Sequence, residues 1–70
     1  MKKSYYITLA REHDSNTTTY VYFGCYGKLE EFRKHLTAIT QALMAGGNVI
    51  ESIKPYMRPD GVESWYIHVK

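Results

Sequence analysis

Residues 49–70 read VIESIKPYMRPDGVESWYIHVK, and this stretch decides the fold. At its centre stands Arg58-Pro59-Asp60-Gly61-Val62. Proline and aspartate suit two successive right-handed turn positions. Glycine suits a left-handed third, because it enters that region without a Cβ penalty. The segment therefore predicts a three-residue hairpin loop with a glycine bulge, pairing Arg58 with Val62. Such a turn fixes the register of the flanking strands, 49–57 and 62–70. Ile53 falls opposite Ile67, Pro55 opposite Trp65, and Lys54 opposite Tyr66.

Upstream of the hairpin, residues 28–45 read as a helix. Leu29, Phe32, Leu36, Ile39 and Leu43 are spaced 3, 4, 3, 4 and share one stripe. Glu30 and Lys34 stand in the favourable i,i+4 order, and Gly46-Gly47-Asn48 supplies a left-handed stop. The start of the helix has no Ser or Asp cap. Two further strands precede it. Residues 5–11 and 17–25 are rich in aromatic and β-branched side chains, with polar turn material at 12–16 between them and a break at Tyr26-Gly27.

The order is ββαββ: an α+β fold, one domain over residues 1–70, with a four-stranded and mostly antiparallel sheet. Central pairing of the first strand with the third, or of the second with the fourth, would make it fully antiparallel. One helix covers only one face of such a sheet. Alternation along each strand assigns the faces. The helix side takes Tyr5, Ile7, Leu9, Val21, Phe23, Cys25, Val49, Ile53, Met57, Trp65, Ile67 and Val69. Glu51 shares that parity, which requires either a rim position or a bulge that turns it out.

The opposite face then carries Tyr6, Thr8, Ala10, Thr18, Tyr20, Tyr22, Ile50, Ser52, Lys54, Tyr56, Ser64, Tyr66, His68 and Lys70. Seven of the ten aromatic residues of the chain are tyrosines, and five of them collect here. On this reading none of the seven acids does; they fall on loops, on the helix or on the other parity.

Composition narrows the function. Seventy residues with 44% hydrophobic and 23% charged content form one small globular domain, too short for a large enclosed cleft. A net charge of +2 lacks the basic stripe of a phosphate-backbone binder and the acidity of a DNA mimic. The single cysteine, Cys25, excludes an internal disulfide, so the core stands without a covalent staple. The basic start, Met1-Lys2-Lys3, leads into alternation and not into an apolar leader, and no run approaches the length of a membrane span. The expected location is the cytoplasm.

Catalytic chemistry finds no motif. His13, His35 and His68 show no metal-ligand spacing and one cysteine does not complete a zinc set, so neither metal nor cofactor is expected. Cys25 reads as a small core residue, and nothing builds a pocket around Glu51 and Glu63, so the chain is read as a non-enzyme.

In size, in lacking a catalytic signature and in its ββαββ economy, the chain resembles the small accessory proteins of bacteriophages and mobile elements. Anti-CRISPRs and other anti-defence proteins belong to that group. The resemblance is one of format over the whole chain and carries no residue across. It implies a protein that acts by occluding a surface of a host protein.

Tyrosine joins a large ring to a hydroxyl at low entropic cost, which suits it to binding hot spots. The expected function is therefore a protein-binding module, an inhibitor or adaptor. Its anchors are Tyr6, Tyr20, Tyr22, Tyr56 and Tyr66, with Lys54 and His68 as polar contacts. The alternative is single-stranded nucleic-acid binding by stacking on the same face. A third reading is self-association as a homodimer, through a sheet edge or the tyrosine face.

Overall fold

In the computed structural model, which describes residues 3–14 and 16–70, five elements follow in the expected order. They are β1 (Ser4–Asp14), β2 (Thr17–Tyr26), α1 (Leu29–Ala45), β3 (Ile50–Met57) and β4 (Val62–Val69). Ser15, in the turn between the first two strands, and Met1-Lys2 at the start lie outside the described residues.

The hairpin of β3 and β4 forms as its turn demands. The Arg58 amide donates to Val62 O at 2.8 Å and the Gly61 amide to Arg58 O at 3.0 Å. Gly61 takes φ +88°, the left-handed value expected of it. Asp60 steadies the loop twice: its carboxylate accepts from the Val62 amide at 3.1 Å and pairs with Arg58 at 2.9 Å. All three expected cross-strand pairs are present.

Helix α1 ends in a Schellman arrangement. Asn48 N–H reaches Leu43 O and Gly47 N–H reaches Met44 O, both at 3.0 Å, with Gly47 at φ +86°. The Asn48 side chain then ties this end to the sheet, donating from Nδ2 to Leu43 O at 3.0 Å and accepting from Arg11 Nη2 at 2.7 Å. Asn48→Ala removes both bonds and leaves Arg11 without this acceptor. It is expected to lower stability by about 1–2 kcal/mol in urea unfolding. An unchanged midpoint would show that the strut carries no load. The uncapped helix start is as the sequence implies, for Lys28 makes no side-chain cap. The i,i+4 contact that closes on the helix surface is Glu31 with His35 at 3.8 Å, in place of Glu30 with Lys34.

The sheet order is β2-β1-β4-β3. This corrects both expected central pairings, because β1 and β4 meet at the centre and run parallel. Pro55 supplies one reason. Without an N–H it cannot serve a strand paired on both sides, so β3 belongs at an edge. Burial agrees with this order: Ile7, Leu9 and Ala10 on β1 and Ile67 and Val69 on β4 are the buried apolar strand residues, and they lie on the two central strands.

Ile7, Leu9, Phe32, Ile67 and Val69 form the buried core, with Tyr5, Trp65, Leu36, Ile39, Leu43 and Ile50 packed around it. Phe32 is the one buried residue of α1. Its ring lies 5.0 Å from Tyr5 and 5.4 Å from Trp65, which locks helix to sheet. No helix among the described residues is long and apolar enough to cross a membrane.

Two bulges correct the assignment of faces. Between Ile50 and Ser52 the β3 register shifts, so Glu51 turns outward and Ile50, opposite Val69, replaces Val49 on the helix side. Val49 is 61% exposed. In β2 the partners of Ile7 and Thr8 are Gly24 and Tyr22, which leaves Phe23 as the extra residue. Beyond that point parity reverses. Cys25, opposite Tyr6, joins the face away from the helix and is exposed, while Tyr26 turns toward the helix and stacks on His35 at 4.6 Å.

Candidate functional site

The sheet face opposite α1 can be followed row by row through the strand registers. The first row, from β2 to β3, is Cys25, Tyr6, Ser64, Tyr56. The second is Tyr22, Thr8, Tyr66, Lys54, and the third is Tyr20, Ala10, His68, Ser52. All seven residues expected to bind a partner, Tyr6, Tyr20, Tyr22, Lys54, Tyr56, Tyr66 and His68, therefore share one surface.

The layout alternates large rings with small residues, and the small ones form a floor. Tyr20 stands on β2 and Tyr66 on β4, two strands apart and so about 10 Å between backbones. Their rings nevertheless approach to 6.1 Å edge to face, at an interplanar angle of 82°. They can do so because Thr8 and Ala10 of β1, between them, are small. The result is visible in burial: Ala10 is 2% exposed and Ser64 5%, although no helix covers this face. Tyr6 and Tyr22 pack diagonally at 5.5 Å, with the Arg58 guanidinium 5.9 Å over the Tyr6 ring. Tyr66 continues to His68 at 6.4 Å.

A shallow depression of about 430 Å³ opens beside this floor, lined by Tyr20, Lys54, Pro55, Tyr56, Tyr66 and His68. Its groups are rings, hydroxyls, one imidazole and one ammonium. The hydroxyl of Tyr22 is held above the ordinary phenol range, mainly by desolvation and then by the negative charges its neighbours Cys25 and Tyr6 would carry at high pH. It stays a neutral hydrogen-bond donor near neutral pH.

The expected separation of acids needs one correction. Strand β1 runs on to Asp14, past the expected end at Arg11, so Glu12 falls within it opposite Thr18. That parity puts Glu12 on the tyrosine side, beyond Ala10 at the far end. It borders a second depression of about 320 Å³ with His13, Asp14, Glu51 and Lys70. The three tyrosine rows themselves contain no carboxylate.

Sequence reasoning missed Cys25 as a member of this face. The signal was Gly24, since an isolated glycine in a strand marks a bulge or a close approach. Here a Cβ on Gly24 would lie 3.0 Å from the Tyr26 hydroxyl, so the glycine makes room for that ring. An exposed Cys25 is expected to react with a maleimide in the native protein at a rate close to that in urea. Protection by a hundredfold or more would return it to the core and refute the bulge.

The remaining candidates stay apart. Glu51 and Glu63 lie at opposite ends of the β3–β4 hairpin, and Glu63 accepts from Trp65 Nε1 at 3.1 Å and pairs with Lys3 at 3.4 Å. His13 contacts Thr19 Oγ1 at 2.6 Å, and His35 is stacked on Tyr26. Among the described residues no three His, Cys, Asp or Glu side chains gather as metal ligands.

No protein-family model matches the chain, and neither a curated protein nor a solved structure matches it.

Proposed function

We propose that this chain is a non-enzymatic protein-binding module that docks through its tyrosine face and acts by covering a partner's surface. Inhibitor or adaptor is the role that fits, in the manner of the small accessory proteins of phages and mobile elements, and the cytoplasm is the place. One observation carries the reading. Five tyrosines are arrayed in three rows around a small-residue floor, on the face the helix leaves open. Rings fixed by their neighbours lose little entropy on binding, so their area goes into affinity.

Ring geometry weighs against base stacking. Tyr20 and Tyr66 meet edge to face and Tyr6 and Tyr22 are tilted by 48°, so the rings do not form a row of parallel faces on which successive bases could stack. Lys54 is the one lysine within the three rows, a thin supply for phosphates. The test is a salt series on the immobilised protein with nuclease-treated lysate of its source cells. A bound protein is expected to persist between ~50 and ~200 mM salt, whereas phosphate-driven binding would fall by orders of magnitude over that range. Steeply salt-dependent binding to a single-stranded oligonucleotide, with no protein retained, would reverse the assignment.

A further inference from the structure

We infer that the free edge of β2 pairs, antiparallel to itself, with β2 of a second copy of this chain. The sheet has two edges and they are built differently. The β3 edge carries the devices that block pairing: Pro55, the charged side chains Glu51 and Lys54, and the bulge at Glu51. The β2 edge, TTTYVYFGCY, is ten residues long with no charge and no proline. Of its two register shifts against β1, one leaves Phe23 as the extra residue of β2 and the other, between Glu12 and Asp14, falls opposite Thr17 and Thr18, so residues 18–22 form an uninterrupted run.

The choice of a second copy follows from symmetry. In an antiparallel pair about a two-fold axis each strand meets its own sequence reversed, so a charged edge would face its own charge. Strand β2 has none to oppose. Registers that set Tyr20 opposite Tyr20, or Val21 opposite Val21, keep each face continuous across the seam. Val21 and Phe23, which α1 leaves 44% and 41% exposed, then gain cover on the helix side. The tyrosine face points out of the sheet plane and stays open, so this inference stands apart from the partner reading.

Area sets the strength. A standard interface takes ~800 Å² from each partner. Here that would be about a sixth of the 5049 Å² surface, more than one strand edge offers. The dimer is therefore a weak one, in the micromolar range or above.

Sedimentation velocity from ~1 μM to ~1 mM tests it at the concentrations where such affinities are read. The wild type is expected to move from the 8.2 kDa chain toward twice that mass. Val21→Lys places a lysine of each copy at the seam and is expected to weaken dimerisation about tenfold or more. Met57→Lys, on the β3 edge, is expected to leave it unchanged. Hydrogen exchange on the unmodified protein gives a check free of folding effects: amides of β2, and not of β3, should gain protection as concentration rises. A monomer throughout overturns the inference. So does a dimer that survives Val21→Lys and is lost on Tyr56→Ala, which would place self-association on the tyrosine face.

Discussion

Replacing Phe32 by alanine is expected to abolish the cooperative unfolding transition of this protein at 25 °C. Phe32 is the one helix residue buried against the sheet, with Tyr5 stacked on its ring and Trp65 tilted against it. Removing a buried phenylalanine costs about 3–5 kcal/mol, because the transfer energy is lost and the cavity is filled only in part. The core of a domain this small supplies about the same amount in total. No disulfide shares the load, since Cys25 is the single cysteine. Circular dichroism against urea at fixed protein concentration should show a broad, non-cooperative loss of signal for Phe32→Ala. Phe32→Leu, which keeps most of the volume, should retain a sharp transition displaced by about 1–1.5 kcal/mol. A cooperative transition for the alanine variant, displaced by less than about 1 kcal/mol, would mean that the helix is held elsewhere.

How much of this could be read from residue types depends on how local the physics is. The Pro59-Asp60-Gly61 turn specifies its own backbone, so the β3–β4 register is legible in advance and holds at all three expected pairs. The helix stripe and its Gly47 stop are local in the same sense. Alternation places the seven candidate residues on one face because no bulge lies between them on their own strands: all three register shifts fall outside the segments that carry them. Where a bulge does intervene, parity fails. Cys25 and Tyr26 exchange faces past Phe23, and Ile50 replaces Val49 past Glu51. Strand order is the least local property. It depends on which strands bury most when stacked, and Pro55 was the sole residue that bore on it directly. The length of β1 was underestimated for a related reason: Glu12 and His13 have little strand preference of their own, but β2 supplies a partner for Glu12 in Thr18.

The second large effect concerns the tyrosine face. Tyr22→Ala with Tyr66→Ala is expected to reduce partner affinity by at least ~100-fold. Hot-spot tyrosines cost ~2 kcal/mol or more each on truncation, and every 1.4 kcal/mol is a factor of ten. The two positions are chosen from different ring pairs, Tyr6 with Tyr22 and Tyr20 with Tyr66, so one substitution disturbs each half of the face. Their loss has a structural cost as well, about 0.5–1.5 kcal/mol for each aromatic pair. Threonine in place of alanine at both positions restores strand preference and separates loss of fold from loss of binding. Arg33→Ala, on an exposed helix position, serves as the neutral control.

The measurement that bears most directly on the account is the dissociation constant of the partner retained in the salt series. It is compared among the wild type, Arg33→Ala and the Tyr22→Thr/Tyr66→Thr variant, each shown by circular dichroism to be folded. The account predicts equal affinities for the first two and a loss of two orders of magnitude or more for the third. Undiminished affinity in a folded double variant would contradict it and move the interaction to another surface.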